Sequence, residues 1–174
     1  MATQLRVPPA EDHRFVGQPV GLATLFTTEL WERFSYYGMR AILVLYLVAP
    51  AEDGGLGMST TEAVAIYGVY SAMVWLLAVP GGWLSDRLWG PRKTVLFGAF
   101  VIAAGHYVLA VPTAWAIWPG LACVAIGTGL LKPNISAMVG GLYDDDPDEG
   151  ERRDAGFSIY YMGINIGGFI APFI

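Results

Sequence analysis

Charge is scarce in this chain. Asp, Glu, Lys and Arg make up only 14% of its 174 residues, against about a quarter in an ordinary soluble domain. Hydrophobic residues make up 55%, so an ordinary water-facing surface is excluded. The charges that exist fall in short islands between apolar runs, which is a membrane pattern. The net charge of -5 reflects acids concentrated in two short loops. No basic stripe is present, which removes nucleic acid as a partner. Cysteine is nearly absent. Cys123 stands alone in an apolar run, cannot form an internal disulfide and reads as an inert buried thiol. Nucleophile–base pairs, metal-ligand clusters and phosphate-binding loops are missing too, so the chain is read as neither an enzyme nor a metal protein. A cleavable signal peptide is not expected, because the first residues are polar and the first apolar run is too long.

Apolar runs dominate what is there. The pattern predicts an all-α membrane protein with a polar tail over 1–19 and helices near 20–48, 63–84, 94–111, 115–139 and 155–174. Ser59 and Glu62 stand at capping-box spacing before the second helix. Pro80, Gly81 and Gly82 near its end suggest close packing or a kink. An acidic connection, YDDDPDEGERRD, precedes the fifth helix, with Asp154 expected near that helix's N-terminus. Lys and Arg occupy the tail and the even-numbered connections, which predicts a cytoplasmic N-terminus. Trp31, Trp83, Trp89, Trp115 and Trp118 are candidate interfacial anchors.

The first apolar helix carries Glu29, Glu32 and Arg33 on one face by i, i+3 and i, i+4 spacing. A lone charge at bilayer depth costs about 2.5–3.5 kcal/mol on insertion scales, so such residues line a cavity, pair or handle ions. At 1.5 Å per residue from the cytoplasmic helix ends, Glu29 lies about 13 Å deep, Arg33 about 20 Å and Lys132 about 10 Å. Tyr161 and Asn165 fall at about 9 and 15 Å by the same rule. One slab therefore holds all of these polar residues, and Arg40 is expected to snorkel to the outer headgroups. Blander readings stand beside this one. Glu29 and Arg33 alone form an intrahelical pair, and Lys132 is near enough to the inner interface to snorkel. Tyr161 and Asn165 serve either packing or a pocket. Gly163 and Gly167 read as helix-packing glycines, Asn134 as a cap for groups freed by Pro133, and His106 as a packed neutral histidine.

Four segments carry a resemblance. ELWERFSYY (Glu29 to Tyr37) resembles the ExxERFxYY motif of the proton-coupled oligopeptide transporters, a branch of the major facilitator superfamily. FSIYYMGINIGG (Phe157 to Gly168) is similar to that family's fifth-helix signature, and GTGLLKPN (Gly127 to Asn134) to its fourth-helix lysine segment. GGWLSDRLWGPRK (Gly81 to Lys93) resembles the superfamily's turn between the second and third helices. The resemblance implies an incomplete N-terminal transporter bundle and roles for single residues. Glu29 and Glu32 are implied as proton-responsive carboxylates. Arg33 and Lys132 are implied as receivers of a peptide carboxylate, with Lys132 on Glu29 when substrate is absent. Tyr37, Trp75, Tyr161 and Asn165 are implied in the pocket, Trp75 standing where the family often has tyrosine. Gly82, Asp86, Arg87, Gly90, Arg92 and Lys93 are implied in a cytoplasmic gate.

The expected activity is proton-coupled symport of di- and tripeptides across the cell membrane, driven by protons without a cofactor. The chain is expected to act as part of a longer protein and to be inactive alone. Its expected partners are small peptides, protons, the lipid bilayer and a missing C-terminal bundle. A transporter of nitrate or another small anion, and a non-transporting regulatory fragment, are the alternatives.

Overall fold

The structure is a computed structural model that describes residues 14–144 and 149–173. Five long helices account for most of it: α1 (Val20–Val48), α2 (Thr60–Leu84), α3 (Pro91–Leu109), α4 (Ile117–Gly140) and α5 (Glu149–Ile170). Among the described residues there is no strand, only one isolated bridge between Phe15 and Gln18. The all-α reading holds, and α1 begins and ends where the apolar run does.

Other boundaries moved, each for a local reason. Helix α2 starts at Thr60, because the Ser59 hydroxyl accepts from the Glu62 amide and the Glu62 carboxylate accepts from the Ser59 amide at 3.0 Å. The predicted capping box is therefore real, and it fixes the first turn three residues earlier than expected. Helix α5 starts at Glu149, six residues before the onset of its apolar run. Glu and Arg are good helix formers, so the GERRD stretch winds instead of looping. Asp154 thus sits in the second turn rather than at the N-terminus. Residues 145–148 of the acidic connection, and 1–13 of the tail, lie outside the described residues.

Two compact units make up the chain. The first comprises the described parts of Met1–Gly38 and Ala137–Ile174: the start of α1, the end of α4 and α5. Helix α5 lies against α1 through two glycines, as their small-xxx-small spacing implied. A Cβ on Gly163 would stand 2.8 Å from the Phe26 ring, and one on Gly167 would stand 3.1 Å from Arg33 Cβ. The end of the tail is folded. Phe15 and Gln18 exchange backbone hydrogen bonds of 3.1 and 2.8 Å across Val16 and Gly17, both at positive φ. Tyr143 then donates its hydroxyl to the buried Gln18 side chain at 3.0 Å.

The second unit, Met39–Ser136, holds the rest of α1, α2, α3 and most of α4. Its helices meet backbone to backbone. A Cβ on Gly98 of α3 would stand 2.8 Å from the Gly127 carbonyl oxygen of α4. A Cβ on Gly129 would stand 2.7 Å from Leu77 Cβ of α2. Asn134 donates to the Leu130 carbonyl at 2.7 Å and across to the Gly81 carbonyl of α2 at 3.3 Å. Asn134 thus bonds a backbone carbonyl one turn back, beside Pro133, and also ties α4 to α2.

Polarity is inverted relative to a water-soluble fold. Glu29, Glu32 and Arg33 are buried, whereas Trp31, Leu45, Trp75, Val79, Trp83, Phe100, Trp115 and Trp118 are exposed. So much exposed apolar surface is stable only in a solvent of hydrocarbon. Among the described residues, two stretches, Thr60–Trp89 and Ala114–Gly140, are long and apolar enough to cross a membrane.

Candidate functional site

The α1 charges form one buried cluster. Glu29 is fully buried and Glu32 and Arg33 nearly so. Arg33 Nη2 donates to Glu32 Oε1 at 2.6 Å, and Arg33 Nε pairs with the other Glu32 oxygen. The same Nε lies 3.4 Å from Glu29 Oε1, one turn earlier. Only the second contact follows the i, i+4 rule. Neighbours on a helix do not face each other, so the fork to Glu32 lies outside the spacing rule. Above it, the guanidinium carbon stands 4.8 Å from the Tyr36 ring centroid. Tyr36 was missed as a site residue, although its i+3 spacing from Arg33 was a usable signal.

Beside this cluster, Tyr37 of α1 and the outward face of α5 line an open pocket of about 930 Å³. Tyr161, Asn165, Ser158 and Phe169 contribute to it. Gly168 allows this, because a Cβ there would stand 3.1 Å from the Tyr37 ring. Asn165 donates to the Tyr161 carbonyl at 3.0 Å, and both residues are exposed to the pocket. Tyr161 and Asn165 are exposed, whereas Gly163 and Gly167 lie against α1. The depth argument needs amending. With α5 starting at Glu149, Tyr161 lies about 18 Å and Asn165 about 24 Å along the helix, so helix ends do not set a common slab.

Lys132 and Trp75 belong to the second unit, together. The Lys132 ammonium stands 4.5 Å from the Trp75 ring centroid. Arg40 likewise sits over a ring, 5.2 Å from the Tyr67 centroid, and is exposed.

The turn between α2 and α3 is a π-helical segment, Ser85–Trp89, not the loop its charges suggested. The Gly90 amide closes it by donating to the Ser85 carbonyl at 2.9 Å. Gly90 has φ +76°, a conformation glycine takes without strain, and Pro91 opens α3. A Cβ on Gly82 would stand 3.9 Å from Pro133 Cβ of α4. Asp86, Arg87, Arg92 and Lys93 are all exposed, and among the described residues none of their side chains has an ion pair or hydrogen bond. The predicted gate residues thus share one turn without pairing to one another.

A model of the POT family (PTR2) matches residues 92–174. A di-/tripeptide transporter of Lactococcus lactis subsp. lactis is 52% identical over 163 residues, covering 92% of this chain and 32% of the relative. The chain belongs to the POT family. An uncharacterized transporter, YclF, of Bacillus subtilis is also 52% identical, over 162 residues, covering 92% of this chain and 32% of the relative. Two solved structures are similar throughout. Peptide transporter POT in complex with sulfate has TM-score 0.89 at 50% identity, covering 95% of this chain and 33% of that one. A POT family transporter in complex with 5-aminolevulinic acid has TM-score 0.88 at 44% identity, covering 93% and 33%. This POT chain therefore spans about a third of the length of the curated relatives it matches. Its five helices match part of a facilitator-type transporter fold, and its family consists of membrane transporters.

Proposed function

We propose that this chain is part of a proton-coupled symporter of di- and tripeptides in the cell membrane, with its N-terminus in the cytoplasm. One observation carries the reading: two carboxylates and an arginine are buried together on α1, beside an open pocket lined by Tyr37, Tyr161 and Asn165. Ionised groups are kept in an apolar helix at a cost, and the cost is met where they handle protons or charged cargo. The names of the relatives, di-/tripeptide transporters among them, point to the cargo.

The mechanism follows from electrostatics. A buried carboxylate is stable while ionised only beside a cation. Protonating Glu29 or Glu32 releases Arg33, and in the same scheme Lys132, to receive a peptide carboxylate. Proton and peptide binding are then linked, and linkage makes the coupling reciprocal. Tyr161 and Asn165 supply hydrogen bonds to the peptide backbone. Asp86, Arg87, Arg92 and Lys93 are assigned to the cytoplasmic gate together with Gly82 and Gly90. Arg92 and Lys93 stand in the first turn of α3, where the helix dipole disfavours cations. A role outside the helix accounts for their being there. The rest of the transporter supplies the remaining bundle, and no cofactor enters the scheme.

The test is uptake of a labelled dipeptide into proteoliposomes holding the complete transporter, under an imposed pH gradient. Gradient-driven, saturable uptake is expected, with Glu29→Gln and Lys132→Ala abolishing the drive. Intact driven uptake in both variants would end the scheme. Nitrate uptake without dipeptide competition would replace the cargo.

A further inference from the structure

We propose that Gln18 and Tyr143 are positioning residues: the pair braces the first turns of α5 against the root of α1, and so sets where Ser158 and Tyr161 stand in the pocket. The brace itself is a matter of geometry; its effect on a ligand rests on the transport reading above.

Helix α5 leans on α1 along one face. Gly156, Gly163 and Gly167 are spaced by seven and four residues, which puts them in line on a helix. The Gly163 and Gly167 notches are filled by α1, at Phe26 and at Leu30 to Arg33. The Gly156 notch is filled by Tyr143, and a Cβ there would overlap the phenol oxygen. Tyr143 lies in the turn that follows α4 and is fully buried. Its hydroxyl reaches the root of α1 by donating to Gln18 Oε1 at 3.0 Å. Gln18 is also buried and stands two residues before α1 begins.

The Gln18 end of the brace is anchored in turn. Its backbone pairs with Phe15 in both directions, and the Phe15 ring centroid lies 6.0 Å from that of Phe26, the ring that meets Gly163. Arg152, in the first turn of α5, donates to the Gly17 carbonyl at 3.4 Å. Val16 keeps φ 54° within this turn, a strained conformation that persists only where the surroundings fix it.

A helix resting on one contact region can pivot about it. Gly163 and Gly167 make such a fulcrum. Gly156 lies seven residues earlier, about 10.5 Å along the axis, and a brace there removes the pivot. Ser158 and Tyr161 lie between brace and fulcrum and line the pocket, whereas Asn165 lies between the two fulcrum glycines. Loosening the brace should therefore move Ser158 and Tyr161 and spare Asn165.

Fluorine NMR of the complete transporter tests this. Trifluoromethylphenylalanine at position 157 reports on the braced turns, and at position 169, next to the Gly167 and Gly168 contacts, it supplies the reference. Tyr143→Phe and Gln18→Leu should each shift or broaden the signal from 157 and leave that from 169 unchanged. The double variant should add nothing to either single one, because both remove the same bond. Gly156→Ala displaces the phenol by another route and should act alike. In these variants KM for a dipeptide should rise about three- to tenfold with kcat little changed, a split that lost stability alone does not produce.

An unmoved signal from 157 in both Tyr143→Phe and Gln18→Leu overturns the brace. Equal movement at 157 and 169 overturns it too, since the helix is then loosened throughout. A moved signal with unchanged KM in a transporting protein overturns the effect on the pocket. Absent uptake by the wild-type protein is a failure of the transport reading, and it is visible separately, because the fluorine series needs no transport.

Discussion

Arg33 grips both carboxylates of the buried cluster, donating to Glu32 at 2.6 Å while lying 3.4 Å from Glu29. Removing it takes the fork from Glu32 and one ion-pair partner from Glu29. Arg33→Ala should destabilise the chain by about 3–5 kcal/mol, the usual penalty for stripping one partner from a buried pair. Thermal unfolding in detergent measures this. Arg33→Ala combined with Glu29→Gln and Glu32→Gln should recover part of the loss, and no recovery would mean that packing, not charge, is responsible. Arg33→Lys should not restore wild-type stability, because an ammonium lacks the fork that spans both acids.

The turn at residues 15–18 makes a second prediction. Val16 is a β-branched residue at φ 54°, and its side chain is exposed. Such a conformation costs about 1–2 kcal/mol, a cost glycine does not carry. Val16→Gly should therefore raise the unfolding midpoint. Tyr143→Phe removes the hydroxyl that reaches Gln18 and should cost about 1–3 kcal/mol, since it leaves a buried amide oxygen short of a donor. An unchanged midpoint in Tyr143→Phe would dismiss the bond as a stabiliser.

Glycines in α2, α4 and α3 divide into two kinds. Gly129→Ala drives a methyl into Leu77 and Gly98→Ala drives one into the Gly127 carbonyl, so each should cost about 1–3 kcal/mol or more. Gly68 of α2 has nothing within 4 Å of its Cβ position. Gly68→Ala should stabilise by about 0.5–1 kcal/mol through helix propensity alone. Equal effects at Gly68 and Gly129 in the same unfolding assay would refute the close-contact account.

Asn134 gives a narrower test. Asn134→Ala removes the link to the Gly81 carbonyl and should cost about 1 kcal/mol, as expected for one buried hydrogen bond. Asn134→Asp replaces the donor with an acceptor facing a carbonyl. It should be clearly worse than alanine at neutral pH, and equal midpoints would show that Asn134 does not bridge the helices.

How much of this was legible in the sequence depended on whether a signal was local. Helix α1 could be read to the residue because its apolar run and its helix coincide. The Ser59–Glu62 box and the Gly163–Gly167 contact were readable because spacing alone defines them. The start of α5 was not, since polarity marks where a helix leaves apolar surroundings and not where winding begins. The fork from Arg33 to Glu32 was hidden because spacing rules place adjacent residues on different faces. The π-helical turn at 85–89 was also hidden, as its charges resemble those of a loop. Trp75 and Lys132 were each visible as candidates. Their pairing required the crossing of α2 and α4, which depends on glycines 48 residues apart in sequence.

Gly81 and Gly98 both abut α4, one at Gly129 and the other at Gly127. Helix α4 is thus the shared seat for two earlier segments, and the ribosome makes it last of the three. Until it emerges, those segments wait in the lipid with their notches unfilled. Assembly of this region should therefore be abrupt, completing when the chain has grown past about residue 130 and not by stepwise docking of successive hairpins.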